Sequence, residues 1–170
     1  YKYTTLSNKN FIKMKLNLNF VNKVPKLAKD SEIILLTQKV RKSKVITQLT
    51  KSIFSNKLFS EQDFLIKNYD DKSYIFVNCT KSKTSLDFEK LGSKLYVFLK
   101  KNEKENSFIN VENNSFNNFQ LEKFLHGVQL KSYNFNLYKT DNKKNININL
   151  SVVGSNFKQK NLLRKKLNAL

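Results

Sequence analysis

Cysteine, glycine, proline and tryptophan are nearly missing from this chain of 170 residues, which contains one Cys, three Gly, one Pro and no Trp. The single cysteine, Cys79, excludes a disulfide framework and a zinc site built from several cysteines. Three glycines spread along the chain cannot form a glycine-rich loop that cradles phosphate. The only histidine, His126, cannot build a metal site or a catalytic triad without partners from other residue types.

No apolar run reaches the length of a membrane span. Acidic residues are also scarce. The chain has 13 Asp and Glu against 32 Lys and Arg, a formal net charge of +19. This excess predicts attraction to a polyanion, namely nucleic acid, an anionic membrane or an acidic protein face. Abundant Lys, Asn, Ile, Phe and Tyr indicate an AT-rich genome, which accounts for part of the lysine surplus but not for the few acidic residues.

The remaining composition fits one domain with a packed interior, since 39% of the residues are apolar, including 14 Phe and 7 Tyr. Cys79 follows the apolar run 74–77 and is expected to be a buried thiol, which favours a reducing compartment. The chain starts at Tyr1 rather than Met, so we expect that an N-terminal segment was either removed or left out, and a processed organellar presequence is one explanation. A location in the mitochondrial matrix is predicted on that basis.

Apolar periodicity predicts strands that alternate with helices. Strands are expected at residues 11–20, 32–36, 64–66, 74–79, 107–111 and 146–152, and a turn at 70–72 indicates a hairpin. Helices are expected at 45–54, 85–101, 116–138 and 156–170. The buried face of the third helix is predicted to consist of Phe119, Phe124, Leu125, Val128, Leu130 and Tyr133. The pattern is typical of an α/β fold in which helices flank a mixed sheet. We divide the chain into an extended basic arm (1–10), an α/β domain (11–155) and a basic C-terminal helix (156–170).

One segment carries a motif of seven residues with the spacing G-x-x-L-x-x-Y-x-F-x-x-Y-K-T: Gly127, Leu130, Tyr133, Phe135, Tyr138, Lys139 and Thr140. This motif resembles a helix of the leucyl aminopeptidase family. Upstream, Val77-Asn78-Cys79-Thr80-Lys81 stands where the family has V-G-x-G-K, with both glycines missing. The order of predicted elements agrees over about residues 11–165.

The resemblance concerns the family's N-terminal domain, and it implies a single three-layer, macrodomain-like fold that does no chemistry. The metal ions and catalytic residues of these enzymes belong to the C-terminal domain, and none of its motifs occurs here. No catalytic residue, metal ligand, cofactor or small-molecule ligand is therefore predicted, and the missing glycines put any ligand role of 77–81 in doubt. His126, Asp70, Asp71, Glu103 and Glu105 are expected to be structural or solvated.

Three basic clusters are the candidate nucleic-acid-binding sites. They consist of Lys39, Arg41, Lys42 and Lys44; of Lys139, Lys143 and Lys144; and of Lys158, Lys160, Arg164, Lys165 and Lys166. Such clusters contact phosphates through charge, which gives strong salt dependence and little sequence choice. The scarcity of arginine argues against base readout, and for each cluster the alternative is a solvated face.

Three hypotheses about function follow. The preferred one is a non-catalytic structural component of a large ribonucleoprotein, specifically a mitochondrial ribosome subunit that binds rRNA and neighbouring proteins. The second is the N-terminal domain of a leucyl aminopeptidase whose catalytic domain is absent from this chain. The third is an accessory subunit bound peripherally to a mitochondrial membrane complex, although no amphipathic segment favours it.

Overall fold

The computed structural model describes residues 16–24, 30–37, 44–54, 61–114, 116–133 and 146–154, together with Lys165 and Leu167. The strands are β1 (Leu16–Val21), β2 (Ser31–Leu36), β3 (Phe64–Tyr69), β4 (Lys72–Asn78), β5 (Asn106–Asn110) and β6 (Ile148–Val153). The helices are α1 (Lys44–Phe54), α2 (Ser85–Lys101) and α3 (Asn118–Ser132), and a 3-10 turn covers Val111–Asn113.

The described strands form one mixed sheet in the order β1-β6-β5-β2-β4-β3. All neighbours are parallel except β3, which pairs antiparallel with β4 at the sheet edge. The tight turn between β3 and β4 places Asp70 at a positive φ of 47°, a conformation that Asp tolerates better than most residues. The predicted hairpin is therefore confirmed.

The run Ile33-Ile34-Leu35-Leu36 shows why the domain has three layers. Successive side chains of a strand point to opposite faces of the sheet. Ile33 and Leu35 pack with α2 and α3, whereas Ile34 and Leu36 pack with Ile53 of α1. A strand covered on both faces needs apolar residues at consecutive positions, which this run supplies. The predicted single α/β domain with a mixed sheet between helices is confirmed.

Capping residues set where α2 and α3 begin. The Thr84 side chain accepts a hydrogen bond from the Asp87 N–H, and the Asp87 carboxylate accepts one from the Thr84 N–H. Asn117 and Gln120 form the same reciprocal pair at the start of α3. Each pair satisfies two N–H groups that have no partner within the helix. The predicted bounds of α2, residues 85–101, agree with the structure for this reason.

The prediction for the third helix is wrong at both ends. It starts at Asn118 rather than at 116, and it ends at Ser132, with Tyr133 in an extended conformation. The Ser132 hydroxyl donates a hydrogen bond of 2.6 Å to the Gln129 carbonyl. That carbonyl is the acceptor which the Tyr133 N–H would need in the next helical turn, so the side chain competes with continuation of the helix.

The predicted buried face of α3 is also wrong at two positions. Phe119 and Leu130 are 57% and 42% exposed, while Phe124, Leu125 and Val128 are buried. The buried face instead includes Leu121 and Ser132, at helical spacings of three and four. Phe119 and Leu130 each lie two residues from a member of that stripe, which places them on the other side of the helix.

The described residues test the two predicted terminal segments only in part. The arm at 1–10 and the beginning of the first predicted strand, 11–15, lie outside them. Lys165 and Leu167 are helical, and Leu167 is buried against the α2 and α3 layer. The Gln129 side-chain amide donates a hydrogen bond of 2.7 Å to the Leu167 carbonyl.

Candidate functional site

The basic clusters fall almost entirely outside the described part of the chain. Lys44 is the first residue of α1, and Lys165 is helical and exposed. The other ten predicted binding residues lie outside the described residues: Lys39, Arg41, Lys42, Lys139, Lys143, Lys144, Lys158, Lys160, Arg164 and Lys166. Their assignment to nucleic-acid binding therefore stays a prediction.

Thr37 follows β2, and Gly154 follows β6. Since β2 and β6 are parallel members of one sheet, these two residues lie at the same edge of the sheet.

The strand order reverses between the neighbours β2 and β5, and ligands of open α/β sheets bind at the carboxyl ends of strands where the order reverses in this way. Here the two strands pair only at Ser31–Ser107 and Glu32–Phe108. Beyond that point the Asn114 side chain accepts a hydrogen bond of 2.7 Å from the Leu35 N–H and donates one of 2.6 Å to the Asn110 carbonyl. The amide of Asn114 thus occupies the position in which β5 would have continued the ladder.

The loop after β4, which replaces the family's V-G-x-G-K segment, uses its polar groups internally. Asn78 Oδ1 accepts hydrogen bonds from the Thr80 N–H at 3.2 Å and from the Thr80 hydroxyl at 2.6 Å. The Cys79 thiol is 3% exposed and lies 3.5 Å from the Val77 carbonyl oxygen. Burial raises the pKa of Cys79, with a smaller contribution from Asp63. A neutral thiol is a poor nucleophile, and the prediction of a buried Cys79 is confirmed.

The His126 side chain connects α3 to α2, and these two helices cover the same face of the sheet. Its Nδ1 lies 3.0 Å from Glu89 Oε2, and both side chains are about a quarter exposed. Within the described ranges, no cluster of three or more His, Cys, Asp and Glu side chains is arranged to hold a metal ion. In the same ranges, no helix combines the length and the apolar character needed to cross a membrane.

Sequence reasoning missed an open groove between α2, α3 and the edge strand β3. Its volume is about 550 Å³, and its described lining is Phe64, Ser93, Lys94, Val97, Phe98, Lys101 and Lys131. The available signal was Val97, an apolar residue outside the predicted stripe of α2, and it is 48% exposed. The residues that β3 and α3 contribute to the groove could not be predicted from local periodicity.

Comparisons with known proteins show a similarity of fold but no membership of a family. No family model matches the chain, and no curated protein matches it in sequence. Among the solved structures that match, a mutant of tomato leucine aminopeptidase superposes with a TM-score of 0.60 at 14% sequence identity. The match covers 90% of this chain and 35% of the tomato chain. The chain therefore shares its fold with about a third of a leucine aminopeptidase, as the resemblance in the sequence implied.

Proposed function

We propose that this chain is a non-catalytic structural component of a large ribonucleoprotein, specifically a mitochondrial ribosome subunit that binds rRNA. The observation that carries the proposal is the net charge of +19, from 32 Lys and Arg against 13 Asp and Glu. A surplus of this size is suited to contacting RNA phosphates through charge.

The internal use of several polar side chains after β2, β4 and β5 supports a non-catalytic role. Asn114 bonds to the backbone of Leu35 and of Asn110, and Asn78 and Thr80 bond to each other. Groups that are already paired must lose those hydrogen bonds before they bind a ligand.

The first experiment measures RNA affinity of the purified chain by fluorescence anisotropy at several salt concentrations. Replacing Lys39, Arg41 and Lys42 by Gln should lower the slope of log K against log salt by about 2 to 3, because each phosphate contact contributes about 0.7 to 0.9. The matched control replaces Lys67, Lys72 and Lys90, which are exposed on β3, β4 and α2, and should leave the slope nearly unchanged. Affinity that does not respond to salt would contradict the proposal.

The second experiment follows the native protein through a density gradient of organelle lysate at low and high salt. Co-migration with a ribosomal particle that is lost only at high salt is the expected result. Co-migration with membranes instead would identify an accessory subunit of a membrane complex. Migration away from both would reject the ribosomal assignment.

A second candidate function is the N-terminal domain of a leucyl aminopeptidase whose catalytic domain is absent from this chain. The fold shared with the tomato enzyme over 90% of this chain favours it. The coding sequence that follows the codon for Leu170 tests it directly. Metal-binding aminopeptidase motifs there, with hydrolysis of a leucyl anilide by the native protein, would establish an enzyme and replace the ribonucleoprotein proposal.

A further inference from the structure

The groove between α2, α3 and β3 has an apolar floor that is open to solvent. The rings of Phe64 and Phe98 stack with centroids 4.9 Å apart at an interplanar angle of 28°. Val97 lies beside them and is 48% exposed. A contiguous apolar surface framed by polar residues is typical of a place where another molecule packs.

Positive charge lines the rim of this groove. Lys94 is paired with Asp63, its Nζ lying 2.7 Å from Asp63 Oδ2. Lys101 and Lys131 are exposed, and neither has an acidic partner among the residues that the structure describes. As far as the described residues go, the groove therefore offers two ammonium groups without a carboxylate partner next to an apolar floor, a combination that fits a molecule with both apolar groups and carboxylates.

The charge of the chain itself argues for a foreign occupant. The chain carries 32 Lys and Arg against 13 Asp and Glu, so it has few carboxylates of its own to offer to Lys101 and Lys131. A second copy would bring another +19. The groove is also open along one side, which suits one face of a peptide segment better than a small ligand that needs enclosure.

We propose that this groove binds an acidic, amphipathic segment of a partner protein. An apolar side chain of the segment packs on Phe64, Val97 and Phe98, and its carboxylates pair with Lys101 and Lys131. The groove shares none of its described lining residues with the three basic clusters, so variants in the groove can be tested without altering those clusters.

The test uses the full chain and a fluorescein-labelled peptide of about 12 residues in which Glu alternates with Phe and Leu, a length that spans a typical peptide groove. Two control peptides replace either every Glu by Lys or every Phe and Leu by Ser. Fluorescence anisotropy should show saturable binding of the first peptide only, because both the carboxylates and the apolar side chains are needed.

Two variants locate the binding in the groove. Val97→Asp should weaken binding by about tenfold or more, since it places a carboxylate on the apolar floor. Its matched control is Leu86→Asp, at another exposed apolar position of α2 (55% exposed) outside the groove. Replacing Lys101 and Lys131 by Gln should weaken binding and reduce its salt dependence, whereas replacing Lys90 and Lys123, also on α2 and α3, should do neither. A thermal melt of each variant confirms that it is folded.

Three outcomes would overturn the proposal. The first is equal affinity for the acidic peptide and its controls. The second is binding that Val97→Asp and Leu86→Asp weaken equally. The third is binding of dodecanoate that depends on Val97 while the acidic peptide does not bind, because the groove would then be a site for a small apolar acid. None of these outcomes bears on RNA affinity, so the proposal can fail while the proposed function stands.

Discussion

Gly92 of α2 and Gly127 of α3 lie at the point where the two helices cross, each against the backbone of the other helix. A Cβ at Gly92 would come closer than 3.0 Å to the Phe124 carbonyl oxygen, and one at Gly127 would come equally close to the Glu89 carbonyl oxygen. The Ser93 hydroxyl donates a hydrogen bond of 3.0 Å to the Gly127 carbonyl at the same crossing. Two of the three glycines in the chain thus allow the helices to meet at backbone contact.

We therefore expect Gly127→Ala to destabilise the protein by about 1 to 3 kcal/mol, the usual cost of overfilling a packed interior. Alanine favours a helix over glycine by about 1 kcal/mol, but the overlap is with rigid backbone and outweighs that gain. Urea unfolding of the variant measures the difference. Lys90→Ala, at an exposed position of α2, is the control and should change the free energy of unfolding little. A more stable Gly127→Ala variant would show that the helices can move apart without a loss in the free energy of unfolding.

The link between Asn114 and Leu35 predicts a local effect on β2. Asn114→Leu removes the acceptor 2.7 Å from the Leu35 N–H and should cost about 1 to 3 kcal/mol, because a buried donor is left without a partner. Hydrogen exchange of the Leu35 amide should also become faster than in the wild type. Asn68→Ala, at an exposed position of β3, should change neither quantity. Unchanged exchange at Leu35 would argue against the hydrogen bond.

The cap of α2 predicts a dependence of stability on pH. Hydrogen bonds from the Thr84 and Lys83 N–H groups, and from the Thr84 side chain, hold the pKa of Asp87 below its ordinary value of 3.8. A lowered folded-state pKa stabilises the protein above the unfolded-state value, and this contribution is lost as the pH falls through the folded-state value. The difference in unfolding free energy between wild type and Asp87→Ala should be constant near neutral pH and shrink below 3.8. A difference that persists in strong acid would contradict this origin.

The burial of Cys79 predicts that its thiol does not react in the folded state. Burial raises its pKa, so the thiolate that attacks a disulfide reagent is scarce at pH 8. Mixing with an aromatic disulfide reagent should release no thiolate chromophore from the native protein and one equivalent per chain in denaturant. Rapid release without denaturant would show that the loop after β4 opens easily.

Several features of the fold follow from local sequence. The run of consecutive apolar residues in β2 predicts a strand that is covered on both faces of the sheet. The Thr84 and Asp87 pair fixes the beginning of α2 within one turn. These signals work because periodicity and capping depend on residues a few positions apart. The sequence did not predict the end of α3, because the apolar pattern continues beyond it. One side-chain hydrogen bond, from Ser132 to Gln129, competes with continuation of the helix.

By itself the sequence determined the net charge, the exclusion of disulfides and multi-cysteine metal sites, the α/β alternation and the resemblance that the shared fold supports. Only the tertiary structure showed that the pairing of β2 with β5 is short and that a side chain bonds to β2 beyond it. It alone brought Phe64, Val97 and Lys131 to one groove and Asn114 to Leu35, a pair 79 positions apart in the chain. The physical reason is that contacts between distant segments depend on how α2 and α3 cross and how β2 and β5 diverge, and neither leaves a local pattern in the sequence.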